Sequence, residues 1–140
     1  MATSQRVMTH FDKPMWASIE RGRLELQACL DCGQFRYPPG PACPHCLSMQ
    51  AEWRAVSGRA TILSWVVFHK TYFDDHPAPY NAIAVRLEEG PIVVTTLAGE
   101  PPRGSWIGKE VEFCYELHAG RMQHKARLRH VGPLQAGAAA

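Results

Sequence analysis

The sequence predicts a mainly β protein: an N-terminal helix, a four-cysteine zinc ribbon, then a five-stranded Greek-key barrel of the OB type. Three observations carry this. Four cysteines stand at the spacing C-x2-C-x10-C-x2-C, the texture after Trp53 turns to β-branched and aromatic residues, and one long connection interrupts the resulting strands. The expected division is 1–28 for a helix and lead-in strand, 29–52 for the ribbon, 53–131 for the barrel and 132–140 for a flexible tail.

Between Phe11 and Gln27, apolar Met15, Trp16 and Ile19 fall at helical spacing, and Arg21-Gly22-Arg23 reads as a stop. A strand over Leu24 to Ala28 follows. Tyr37-Pro38-Pro39-Gly40-Pro41 then forbids a helix through the cysteine segment, which must be built of loops. Five strands are expected at Arg59 to Lys70, Tyr80 to Leu87, Pro91 to Leu97, Lys109 to Leu117 and Gln123 to Val131. Glu88-Glu89-Gly90-Pro91 signals a tight hairpin, and Thr71 to Pro79 forms a long connection projecting from the rim. Five strands with one such connection suit a small closed barrel.

Composition sets bounds on function. The 140 residues are 46% apolar and 20% charged, with a formal net charge of +2, which is a globular balance with too little positive charge to imply nucleic acid. No apolar run approaches the roughly 20 residues that span a bilayer, and Met1 to Arg6 lacks the apolar core of a signal peptide, so a cytoplasmic protein is expected. An odd number of cysteines, five, with paired knuckle spacing favours thiolates on a metal over disulfides.

Cys29, Cys32, Cys43 and Cys46 are the expected ligands of one structural zinc. Two residues between thiolates let both sulfurs of a knuckle face one ion, and two knuckles complete a tetrahedron with no open position for a substrate. Iron would suit the same sulfurs. Cys114 shares a strand face with Glu110, Glu112 and Glu116, whose charges make it a sluggish nucleophile.

For a ligand, Lys125, Arg127 and Arg129 alternate into a basic stripe that could meet phosphates or simply form a solvated face. Aromatic Tyr72 and Tyr80, with Trp65, Phe68 and Phe73, could stack on a base. His69 and His76 flank the loop carrying Asp74 and Asp75, which allows a second metal or an acid/base pair, but without a nucleophile. A glycine-rich phosphate loop, a G-x-S-x-G elbow and an H-E-x-x-H helix are absent from the sequence.

The run Gly22-Arg23-Leu24-Glu25-Leu26-Gln27-Ala28-Cys29, with Cys32-Gly33, Pro38-Pro39, Cys43-Pro44-His45-Cys46, Trp53 and Ser57-Gly58-Arg59-Ala60, resembles a known family. It is the zinc-ribbon/OB-fold acyl-CoA-associated family, catalogued as domain of unknown function thirty-five. Pro79-Tyr80, Leu87-Glu88-Glu89-Gly90 and Ile107-Gly108-Lys109-Glu110-Val111 extend the resemblance over Trp16 to Leu117. Leu47 departs from it, standing where many ribbons have a small knuckle residue.

The resemblance implies a non-catalytic accessory subunit that binds or channels acyl-CoA thioesters in lipid metabolism. Its expected partner is a thiolase-fold enzyme, an aldolase of that fold or a hot-dog-fold hydratase, and the partner supplies the catalytic residues. The competing expectation is a single-stranded nucleic-acid-binding module, a role that zinc ribbons and OB folds also serve.

Overall fold

A computed structural model of the chain describes residues 4–129. The tail expected at 132–140 and the end of the strand expected to reach Val131 lie outside the described residues. Helix α1 spans Lys13–Glu20, with Pro14 in its first turn, where a missing N–H costs little. It ends as the sequence expects. Gly22, at φ +75°, donates its N–H to the Ile19 carbonyl at 2.9 Å, and Arg23 donates to Ser18 at 3.2 Å. Met15, Ser18 and Ile19 form the buried face. The Ser18 hydroxyl donates to the Met15 carbonyl (2.6 Å) and accepts the Glu25 N–H (3.0 Å), tying the helix end to the strand that follows.

That strand, β1 (Glu25–Cys29), is the centre of a three-stranded antiparallel sheet, flanked by β2 (Phe35–Arg36) and β3 (Ala51–Ala55). The sequence reading placed no strand at β2 or β3. Ala-Glu-Trp-Arg-Ala alternates apolar and polar, but its two alanines have little strand preference, and the segment is held as β3 by five residues pairing with β1, from Glu25↔Ala55 to Cys29↔Ala51. Leu24 and Leu26 join Met15, Ile19 and the barrel residues Ile62, Val85 and Val111 in one core. The ribbon tip has almost none of this support: from Leu30 to Cys46 only Arg36 and Cys43 are buried.

The barrel comprises β4 (Arg59–Phe68), β5 (Tyr80–Leu87), β6 (Ile92–Thr95), β7 (Glu110–His118) and β8 (Arg121–Leu128), ordered β6-β5-β4-β7-β8. A parallel contact closes it: Leu97 bridges Ala126, whose N–H reaches the Thr96 carbonyl at 2.9 Å while Ala98 N–H reaches the Ala126 carbonyl at 2.7 Å. Five strands closed in this way form the Greek-key barrel of an OB fold. Gly58, at φ +81°, opens the barrel; its carbonyl accepts the Phe113 N–H at 2.8 Å in a backbone conformation that a side chain resists.

Strand β4 is asymmetric. It pairs with β5 as far as Phe68, but with β7 only over Arg59–Thr61, after which Ile62 exchanges backbone bonds with Gly108 and Lys109. A register shift between Ile62 and Ser64 bends it. Beyond that bend, the second edge of Leu63 to Phe68 makes no backbone hydrogen bond among the described residues. Val66, Val67 and Phe68 are all exposed there, on both faces of the strand.

Candidate metal centre and ligand groove

The two knuckles have the same local design. Gly33 N–H donates to the Cys29 carbonyl at 3.0 Å and Leu47 N–H donates to the Cys43 carbonyl at 2.9 Å, so each turn folds its second cysteine back onto its first. All four Sγ atoms lie within 4.8 Å of one another, with Cys29–Cys46 and Cys32–Cys43 at 3.6 Å. A tetrahedron of thiolates about 2.3 Å from a central ion has edges of about 3.8 Å, whereas a disulfide needs about 2.05 Å. The cluster therefore fits an ion and not a bridge. The Cys32 backbone amide pulls the Cys29 thiol down to about 6 and the Cys46 amide likewise lowers Cys43, whereas burial and the neighbouring thiols push Cys32 and Cys46 up, so two of the four are disposed to be thiolates before a metal binds.

Gly33 and Leu47 occupy equivalent positions and both have positive φ, +77° and +66°. The left-handed conformation suits glycine and strains leucine. Leu47 is 77% exposed and has little packing to lose. Leu47→Gly is therefore expected to raise stability by about 0.5–1 kcal/mol, the relief of strain exceeding the added freedom of the unfolded chain. Denaturant melts of the metal-bound protein check this; a lower midpoint in the variant would count against strain at the knuckle.

The basic stripe is not left free. Lys125 pairs with Glu116, Arg127 Nε reaches Glu112 Oε1 at 2.9 Å, and Arg129 Nη1 lies 3.8 Å from Glu110 Oε2. The β7–β8 register sets the glutamates of one strand beside the cations of the next. Cys114 sits between these rows, and its thiol is pushed up first by burial, with Glu116 and Glu112 adding and Arg127 and Lys125 opposing. It is a poor nucleophile at neutral pH.

The long connection brings several expected residues together. Phe68 stacks on Tyr80 at 4.9 Å, Tyr72 meets Phe68 edge-on at 6.4 Å, and His76 lies 4.1 Å from the Tyr80 ring. Trp65 instead stacks on Trp106 at 5.5 Å. Asp75 turns away from its sequence neighbours to accept from the Ser4 N–H (3.0 Å) and hydroxyl (2.6 Å), and those bonds hold its carboxyl low. His118, unremarked in the sequence, stands 3.9 Å from Asp75. His69 and Asp74 are exposed and join none of these contacts.

Beside this cluster runs a groove of about 690 Å³ that no sequence signal revealed. Its floor is Ala82, Val94 and Thr96, and its walls include Arg6, Trp16, Arg121 and His124. OB folds take ligands on the face of their second and third strands, between the loops after the first and fourth, and this groove occupies that place. The Arg6 guanidinium lies 3.9 Å from the Trp16 ring centroid and donates to the Met122 carbonyl at 2.8 Å. Arg121 has no carboxylate within ion-pair distance among the described residues. His124, stacked between Trp16 and Phe113 with Nδ1 2.8 Å from the Thr95 hydroxyl, is pushed down to about 4 by burial and then by Arg6.

Comparison with known proteins agrees with this architecture. Residues 16–50 match the rubredoxin-like zinc ribbon domain of ChsH2, and residues 53–116 match the ChsH2 C-terminal OB-fold domain. A probable enoyl-CoA hydratase alpha subunit from Thermomonospora curvata is 36% identical over 104 residues, 71% of this chain and 32% of the relative. The chain thus spans about a third of that relative's length. A DUF35 domain-containing scaffold protein from Pyrococcus furiosus is 32% identical over 95 residues, covering 67% of this chain and 69% of the relative. The solved Ltp2-ChsH2(DUF35) aldolase superposes with a TM-score of 0.80 at 27% identity, over 89% of this chain and 98% of that one. With its four-thiol ribbon and closed five-stranded barrel, the chain belongs to the DUF35 family of zinc-ribbon and OB-fold proteins.

Proposed function

We propose that this protein is a non-catalytic accessory subunit in cytoplasmic acyl-CoA metabolism, holding one zinc at Cys29, Cys32, Cys43 and Cys46. It seats against a thiolase-fold enzyme, an aldolase of that fold or a hot-dog-fold hydratase, and it binds the CoA portion of a thioester. Its relatives' names, hydratase alpha subunit, scaffold protein and aldolase, support an enzyme partner. The observation that carries the reading is the apolar end of the barrel. Val66, Val67, Phe68, Tyr72, Phe73 and Leu117 are 37–69% exposed beside an unpaired strand edge, a surface that favours a protein partner. Among the described residues no helix is long and apolar enough to cross a membrane.

For CoA, the groove offers at Arg121 a cation unpaired among the described residues, a guanidinium at Arg6 that also lies 3.7 Å from Glu20, and an aromatic wall at Trp16, with Tyr72 and Tyr80 at the neighbouring rim. Lys125, Arg127 and Arg129 are weaker candidates, because each already faces a glutamate. Calorimetric titration with CoA distinguishes them. Arg121→Ala is expected to weaken binding about tenfold, as the loss of one charge-assisted contact implies. The triple alanine variant of the stripe is expected to change it less than twofold. The reverse ranking would move the ligand to the stripe.

Single-stranded nucleic acid shares the OB ligand face, but a net charge of +2 and a neutralised stripe count against it. The partner is tested by purification from the native source and identification of the co-eluting chain. A stoichiometric thiolase-like, aldolase or hydratase chain, lost when Val66 and Phe68 are both changed to lysine, is the expected result. Bound nucleic acid, or a monomer with no partner, would refute the reading.

A further inference from the structure

We propose that Arg36 is the receptor for an oxyanion, a carboxylate or phosphate group that enters the groove between the ribbon and the β5–β6 turn. Arg36 lies on β2, opposite Gln27 of β1, and is 3% exposed. Its Nε, Nη1 and Nη2 atoms are closed to water and have no hydrogen-bond partner among the described residues. The other buried polar side chains differ: Ser18 donates to Met15 and accepts from Glu25, and Thr95 bonds to His124. Arg6, Arg21, Arg23, Arg54, Arg59, Arg127 and Arg129 each have a carboxylate within ion-pair distance. A guanidinium does not deprotonate in a protein, so burial cannot neutralise it as it would a lysine. A buried charge without a counter-ion is strongly disfavoured, and an anion of matching geometry relieves it.

The surroundings fit such a ligand. Arg36 lines a groove of about 480 Å³ with Phe35, Tyr37 and Pro44 on the ribbon side and Glu89 and Pro91 on the barrel side. Among the described residues Glu89 is the only carboxylate on that groove, and it is committed elsewhere: it accepts the Ser57 N–H at 2.8 Å on one oxygen and faces the Ser57 hydroxyl at 3.5 Å with the other. No aromatic ring within cation–π range substitutes for the anion among the described residues. The planar fork of arginine takes a carboxylate or a phosphate through two parallel N–H bonds. A ligand held there would contact the metal ribbon and the barrel turn at once. The nitrogens are covered, so entry requires the lining of this groove to shift. This inference stands apart from the CoA groove at Arg6 and Arg121, and either can fail without the other.

The test is an NMR titration of the full-length, metal-loaded chain, following the Arg36 Nε–Hε resonance. Sodium phosphate, sodium acetate and CoA are each added against sodium chloride of equal ionic strength. The expected result is a saturable shift with an oxyanion and none with chloride. Equal response to phosphate and acetate identifies a general oxyanion site, and response to CoA alone identifies a phosphate of that ligand. In thermal melts, the oxyanion that moves the resonance should raise the midpoint of the wild type but not of Arg36→Met. In chloride, the variant should melt at or above the wild type. No shift with any of the three probes overturns the proposal, as does an Arg36→Met variant that is equally destabilised in every medium. Should Arg36→Met fail to fold, the titration of the unaltered chain decides alone.

Discussion

Stripping the metal with a high-affinity chelator at pH 7 should dismantle the ribbon tip and lower the melting midpoint by more than about 10 °C, the shift expected of several kcal/mol in a domain of this size. The reason is the distribution of buried surface. Leu24 and Leu26 anchor the inner ribbon to the common core, but Leu30 to Cys46 buries only Arg36 and Cys43, and β2 is two residues long. With so little buried surface, that segment is expected to depend on the ion that its four clustered thiols would share. Proteolysis should then open between Cys29 and Gln50 while the barrel, with its own apolar interior, resists longer. Cys43→Ser should behave as the stripped protein does, because Cys43 is 1% exposed and central to the cluster. Elemental analysis should return one zinc per chain, and a strongly coloured, iron-containing protein would reassign the ion. Unchanged melting after complete removal would show that the knuckles hold without metal.

The second large effect is acid instability centred on His124. Its folded value of about 4 lies below the ordinary histidine value of about 6.5, so the unfolded chain takes up the proton more readily. The stability from keeping the ring neutral between Trp16 and Phe113 is fully present above about pH 6.5 and is lost progressively toward pH 4. The loss amounts to at most about 3.4 kcal/mol. Thiolate protonation also releases the metal in acid, so the informative quantity is the difference between wild type and His124→Gln. That difference should shrink, or change sign, as pH falls from 7.5 to 4.5 in denaturant titrations. A difference constant across that range would mean that the imidazole is charged, or open to water, in the folded protein.

The parts that were legible in the sequence are those fixed by neighbours in the chain. The cysteine spacing specified both knuckles, Arg21-Gly22-Arg23 ended the helix, and Glu88-Glu89-Gly90-Pro91 turned the β5–β6 hairpin. β-branched and aromatic content marks the first three barrel strands and alternation the last two, with ends displaced by a few residues where pairing partners run out: β4 stops at Phe68 rather than Lys70, and β8 starts at Arg121 because Ala119 and Gly120 form the positive-φ turn. Strand β3 is weakly marked in the chain: Ala51–Ala55 alternates apolar and polar, but it is short and bounded by alanines of low strand preference, and it is secured only by pairing with β1.

The charge stripe shows the same boundary from the other side. Lys125, Arg127 and Arg129 alternate visibly, as do Glu110, Glu112 and Glu116, but only the hairpin register sets the two rows against each other and cancels their fields.

The four-cysteine cluster, the order of helix, ribbon and barrel, and the family are all readable along the chain. Those depend on spacings of two to ten residues and on local periodicity. The tertiary structure decided the groove, where Arg6 reaches Met122 across 116 residues, and the stranding of Arg36 without a counter-ion. Such features depend on which distant segments the common core brings together, and a linear pattern of residue types carries no record of that.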